Sequence, residues 1–132
     1  MSKVTDELKR VPLFGELNQR QLGRLSRRFR ERRLDAGMSV VQEGKMSGVG
    51  FFIISEGTAT VTVGGKKVAR LGAGDHFGEI AMITGHERTA TVTAETALRC
   101  LEIPFWDFRD FALENPDVTW KLLQHVAGLR TA

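Results

Sequence analysis

Between Arg32 and Ile103 the chain never sustains an apolar run for long. None exceeds four residues, as in Phe51–Ile54, and glycine recurs between the runs. The pieces Ser39–Val41, Phe51–Ile54, Thr58–Val63, Lys67–Leu71, Ala90–Ala94 and Leu98–Ile103 are each too short for a core helix but long enough for a strand. Gly64-Gly65 stands between two of them, the residue pair that a two-residue hairpin favours. Many short strands at close spacing predict a sandwich or barrel-like roll rather than a parallel sheet. On either side the pattern becomes helical. Asn18 with Gln21 forms a helix cap, followed by Leu22, Leu25 and Phe29 at helical spacing, which predicts a helix over 18–29. Pro104 opens a helix carrying Phe105, Phe108 and Ala112. Asn115-Pro116-Asp117 caps another with Val118, Leu122, Val126 and Leu129 at helical intervals.

A chain of 132 residues is the size of one domain, which here comprises a roll over 31–103 and helical parts over 1–30 and 104–132. Hydrophobic residues make up 42% and charged residues 27%, ordinary globular values that favour neither disorder nor a membrane span. Met1 opens directly into the polar Ser2-Lys3-Val4-Thr5-Asp6-Glu7, with no signal-peptide pattern, so the expected location is the cytoplasm. Cys100 is the sole cysteine; it reads as a small buried hydrophobe and excludes an internal disulfide or a multi-cysteine zinc site.

One segment carries chemistry. Phe77-Gly78-Glu79-Ile80-Ala81-Met82-Ile83, followed after a polar loop by Arg88-Thr89-Ala90-Thr91-Val92, places a close-approach glycine, a helical turn, a carboxylate, a guanidinium and a hydroxyl within sixteen residues. A cyclic sugar phosphate needs just such groups. The Arg88 guanidinium can pair a phosphate bidentately, and the Ile80 and Ala81 N–H groups can donate to it. Glu79, as an ionised acceptor, suits a ribose 2′-hydroxyl, and Gly78 lets the main chain pass close to the ligand. Thr89 can reach a phosphate oxygen or a purine edge, or can be a plain strand residue. Each charge-assisted hydrogen bond contributes roughly 1.5–3 kcal/mol, so two or three, with a stacked base, suffice for about micromolar affinity.

The segment resembles the phosphate-binding cassette of the cyclic nucleotide-binding domain family, with its Phe-Gly-Glu-aliphatic-Ala start and its Arg-Ser/Thr/Ala-Ala-Thr-Val end. The resemblance extends over roughly residues 8 to 130. Ala36-Gly37, Glu43-Gly44, Phe51-Phe52-Ile53-Ile54, Gly57, Val61 and Leu71-Gly72-Ala73-Gly74-Asp75 fall where the family places its turns and strands. It implies a mainly β fold, an antiparallel, jelly-roll-like β-roll with N-terminal helices and C-terminal hinge or lid helices. It further implies a non-catalytic receptor for a 3′,5′-cyclic nucleotide whose occupancy is relayed by movement of those last helices. Ligand contacts then fall to Gly78, Glu79, Ile80, Ala81, Arg88, Thr89 and Ala90, with Phe77, Val61 and Leu71 alongside. Val61 and Leu71 could equally be ordinary core. Arg130 resembles the residue that caps the base in compact bacterial relatives, with Trp120 as the other lid candidate, although core packing is the simpler reading of Trp120. Resemblance to bacterial forms favours cAMP; a hydroxyl residue at Thr89 often accompanies tolerance of cGMP. Glu87 departs from the proline common before the cassette arginine, and is expected to face solvent.

Other features carry less. Arg20, Arg24, Arg27, Arg28, Arg30, Arg32 and Arg33 crowd into fourteen residues, yet the net charge is only +3 and no helix-turn-helix follows the roll. A solvated or partner-facing surface is therefore expected rather than a nucleic-acid interface. His76, His86 and His125 are widely separated and form no His-x-His pair, which argues against a metal-dependent roll enzyme, and no nucleophile has a partner motif. No cofactor or metal is expected beyond the nucleotide ligand. The signal's recipient would be an effector protein or domain not present in this chain, and an oligomer remains compatible. Two other readings stay open: a degenerate, ligand-free roll acting as a protein-interaction scaffold, and the sensor half of a transcription factor.

Overall fold

The computed structural model describes residues 3–42, 50–84 and 90–131. Eight strands, β1 (Arg30–Leu34), β2 (Ser39–Val41), β3 (Gly50–Glu56), β4 (Ala59–Val63), β5 (Lys66–Leu71), β6 (His76–Phe77), β7 (Thr91–Ala94) and β8 (Leu98–Pro104), form two four-stranded antiparallel sheets. Their orders are β1-β8-β3-β6 and β2-β7-β4-β5. Helices α1 (Lys3–Lys9) and α2 (Gln19–Ser26), with a 3₁₀ turn at Pro12–Phe14, precede the strands; α3 (Glu79–Thr84) interrupts them; α4 (Phe105–Glu114) and α5 (Pro116–Thr131) follow. This is the mainly β roll with flanking helices that the sequence predicts.

The alternation of side chains along β3 explains its unbroken apolar run. Phe51 and Ile53 point into one cluster, packed with Leu8, Phe14, Leu22, Leu25 and Phe108 from the helices. Phe52 and Ile54 point the other way into the roll interior, with Leu34, Val41, Val92, Leu98 and Cys100. β8 divides in the same manner, Leu101 and Ile103 toward the helices and Leu98 and Cys100 toward the roll. Fully burying a side chain of this size contributes about 1.5–3 kcal/mol, so both strands gain on both faces. Between β4 and β5, Gly64 and Gly65 have φ of 58° and 79°, the left-handed pair that a two-residue hairpin needs. β5 is an edge strand, and Lys66, Lys67, Val68, Ala69 and Arg70 are all exposed.

Strand β1 breaks the apolar rule. In Arg30-Glu31-Arg32-Arg33-Leu34 only Leu34 is buried, and the strand is held by pairing with β8, from Arg30 opposite Glu102 to Leu34 opposite Leu98. Cross-strand charges add to that pairing. Arg99, only 15% exposed, reaches Glu31 at 3.2 Å and Glu56 at 3.1 Å, and Arg32 lies 3.6 Å from Glu102. Helix α2 accordingly ends at Ser26, short of the expected Phe29. Its start follows the expectation: Gln21 N donates to Asn18 Oδ1 at 2.8 Å, and Asn18 N donates to Gln21 Oε1 at 3.0 Å. Phe29 keeps its place in the core from the following turn, edge-on to Phe14 and Phe51.

Within the arginine cluster Arg20, Arg27, Arg30 and Arg33 are exposed, as expected of a solvated face, while Arg24, Arg28 and Arg30 also reach acceptors on the last two helices. Arg24 donates to Asp117 at 2.8 Å and to the Asn115 side chain, while Gln21 Nε2 reaches the same Asp117 oxygen at 2.9 Å. Lys121 closes the group by donating to Gln21 Oε1 at 2.8 Å. Arg28 pairs with Glu114 at 2.6 Å and Arg30 with Asp107 at 3.6 Å. The N-terminal charges thus dock α2 and β1 onto α4 and α5, alongside the buried Phe108, Phe111, Val118 and Leu122. Trp120 is corrected as well: it is 61% exposed and takes no part in the core.

The hydrogen bond from Arg24, reinforced by those from Gln21 and the Val118 N–H, holds the Asp117 carboxyl far below the usual carboxylate range. A depressed carboxylate stabilises the fold above its unfolded-state pKa, about 4, and that contribution fades as pH falls towards the folded value. Urea unfolding should therefore show stability declining below about pH 4. The decline should be shallower in Asp117→Asn, and modest in both because the pair is half-exposed and screened.

Candidate functional site

The segment singled out by its chemistry starts on β6, beside the strand β3 that is buried on both faces. β6 pairs with β3, Phe77 opposite Phe52 and His76 opposite Ile53. The Phe77 ring lies on that of Phe52, centroids 5.0 Å apart and nearly parallel at 11°. The preceding turn is fastened to the same strand: Gly74 N donates to Ile54 O, and Ile54 N to Asp75 O, each at 2.9 Å. Within the turn Gly72 N donates to Asp75 Oδ2 at 2.8 Å.

After Phe77 the backbone bends sharply. Gly78 adopts a φ of 97°, and Glu79 is the first residue of α3. The first helical bond runs from Met82 N to Gly78 O at 2.8 Å, so the N–H groups of Glu79, Ile80 and Ala81 precede the ladder. Met82 is fully buried in the helix-side cluster, whereas Phe77 packs against the roll interior. The short stretch from Phe77 to Met82 therefore spans both cores, with Gly78 and Glu79 partly exposed between its two anchors.

The other expected residues fall as follows. Val61 pairs with Val92 on one side and Ala69 on the other, and Leu71 ends β5 opposite Ala59. Both are partly buried and pack against the roll cluster together with Phe77. Ala90 lies just before β7, partly buried. Arg88 and Thr89, and with them Glu87 and His86, lie outside the described residues. Ile80 and Ala81 are described by their backbone in α3, and Arg130 by its backbone in the last turn of α5.

One contact was not anticipated. His76 Nδ1 lies 3.2 Å from Glu79 Oε1. The sequence offered a signal in the three-residue spacing, but that spacing brings side chains together on a helix, and here a strand end and a bent glycine separate them. Among the described residues no group of three or more His, Cys, Asp or Glu could hold a metal ion, and no helix is long and apolar enough to cross a membrane. Cys100 is buried as expected; desolvation pushes its thiol up to about 11, so it is unreactive at neutral pH.

Residues 31–115 match the family model of the cyclic nucleotide-binding domain. A cyclic nucleotide-gated potassium channel of Rhizobium etli is 37% identical over 108 residues, covering 82% of this chain and 30% of the channel. Among solved structures, the N-terminal domain of a transcriptional regulator from Streptomyces coelicolor A3(2) superposes with a TM-score of 0.86 at 29% identity, covering 96% of this chain and 94% of that one. The regulatory domain of Toxoplasma gondii PKA, solved with cAMP, gives 0.72 at 26% identity, covering 82% of this chain and 42% of that one. The chain spans 30%, 25% and 29% of three of the curated relatives it matches.

A side chain at residue 78 must adopt the left-handed backbone now held by glycine. Gly78→Ala should cost about 1–3 kcal/mol of stability in urea unfolding, with the strain centred on the entry to α3.

Proposed function

This chain belongs to the cyclic nucleotide-binding domain family, and from that membership we propose that it is a non-catalytic receptor for a 3′,5′-cyclic nucleotide, with cAMP preferred to cGMP. The observation that carries the proposal is the bent entry to α3. Phe77 is locked to β3, Gly78 turns the backbone, and Glu79 with the Ile80 and Ala81 N–H groups follows at once. In this reading Arg88 neutralises the ring phosphate, Glu79 accepts from the 2′-hydroxyl, and Gly78, Ile80 and Ala81 donate through the main chain. Thr89 and Ala90 complete the phosphate side. Val61, Leu71 and Phe77 offer the base a partly exposed apolar wall continuous with the roll cluster, and Arg130 closes over it.

Transmission requires two states that the ligand distinguishes. α4 and α5 are the moving elements in this proposal, and the pairs Arg24–Asp117, Arg28–Glu114 and Arg30–Asp107 set the arrangement against which ligand-dependent closure must work. The output passes to an effector protein or domain outside this chain.

Titration calorimetry with cAMP and cGMP tests the proposal. Wild type should bind with a Kd between about nanomolar and micromolar, cAMP more tightly than cGMP. Arg88→Ala should lose about 2–5 kcal/mol, the scale for removing one partner of a desolvated charge pair. Absence of heat with either nucleotide would favour the ligand-free scaffold instead.

A further inference from the structure

We propose that His76 is a positioning residue for the ribose, holding the Glu79 carboxylate so that its second oxygen is presented to the 2′-hydroxyl; the inference rests on the receptor reading above. An ionised carboxylate can only accept, so the 3.2 Å contact requires a proton on Nδ1, which His76 donates to Glu79 Oε1. The contact uses Oε1, and in this proposal Oε2 is the oxygen turned to the ligand.

The histidine is well placed to act as a fixed support. Its backbone is paired with Ile53 in the sheet, and its ring packs against Phe51 at a centroid distance of 5.6 Å. Phe51 is fully buried and wedged edge-on by Phe14 at 5.6 Å and Phe29 at 6.3 Å, so the imidazole rests on a closely packed ring. Glu79, in contrast, opens a short helix with its side chain 42% exposed, and nothing else among the described residues restrains it. A glutamate this exposed gives up side-chain freedom when a ligand engages it. Orienting it beforehand lowers that cost, and does so only for ligands that use the carboxylate. The residue therefore bears on selectivity for a ribose over a 2′-deoxyribose, and leaves phosphate capture to other groups.

The test pairs cAMP with 2′-deoxy-cAMP, measured by calorimetry on the 132-residue chain for wild type, His76→Phe and His76→Asn. Phenylalanine keeps a ring against Phe51 but has no donor; asparagine supplies an N–H near the position of Nδ1. Wild type should prefer the ribo form by about tenfold or more. His76→Phe should cut that preference about fivefold while leaving 2′-deoxy-cAMP affinity within about twofold, and His76→Asn should retain most of the preference. Should His76→Phe fail to fold, His76→Leu carries the same comparison. Parallel losses for both ligands, an unchanged preference in the variants, or no preference in wild type would overturn the assignment while the receptor reading stands. Failure of wild type to bind either nucleotide, or cGMP, would overturn both.

Discussion

Burial of β3 on both faces is the constraint on which the remaining structure depends. Phe51 and Ile53 serve the helices, Phe52 and Ile54 serve the roll, and neither core could form without the strand that separates them. Its hydrogen-bonding edges are equally committed, to β8 on one side and β6 on the other. A strand held in four directions has little freedom to slip, because a shift of one residue would exchange the two apolar sets. The candidate site inherits that rigidity: Phe77 and His76 are the residues that pair with β3, and Gly78 and Glu79 come next in the chain.

Rigidity at the entrance contrasts with the way the last helices are held. α4 and α5 contribute Phe108, Phe111, Val118 and Leu122 to the helix-side core, yet much of their attachment to α2 is polar. Polar pairs at a partly exposed surface are individually weak, since water competes for each partner. They define an orientation without making it irreversible. The proposed receptor role calls for helices that can change position, and contacts of that strength are compatible with it; Gln21, Arg24, Asn115, Asp117 and Lys121 form one connected group.

Much of the strand pattern was legible in the sequence because the interior strands alternate or run apolar and glycine punctuates them. Asn18 with Gln21, Gly64-Gly65 and Phe77-Gly78-Glu79 likewise announced a cap, a hairpin and a bent helix entry, each through the local geometry that those residues require. Where tertiary contacts decide, local pattern was silent. β1 is a strand by virtue of its partner, since four of its five residues are charged and its fit depends on Glu102 and Arg99 from β8. Arg24, Arg28 and Arg30 have carboxylate partners up to 93 positions away, which no windowed reading can see. Trp120 shows the converse: helical spacing suggested packing, but α5 turns Val118 and Leu122 inward and leaves the indole outside. Of the candidate site, the bend at Gly78 and the helix start at Glu79 follow from local geometry, whereas the link from His76 to Glu79 depends on a strand end folding back over a helix start.

The hairpin that ends in β5 has a further bearing on how the molecule behaves in company. An outermost strand leaves a row of main-chain donors and acceptors open to any similar edge, the usual route by which β-rich proteins stick together. Here that margin carries Lys66, Lys67 and Arg70. Glu95 lies 2.8 Å from Arg70 and 3.9 Å from Lys67, so a second copy approaching along the same line would meet a row of hydrated charges, rather than bare hydrocarbon, before its backbone could engage.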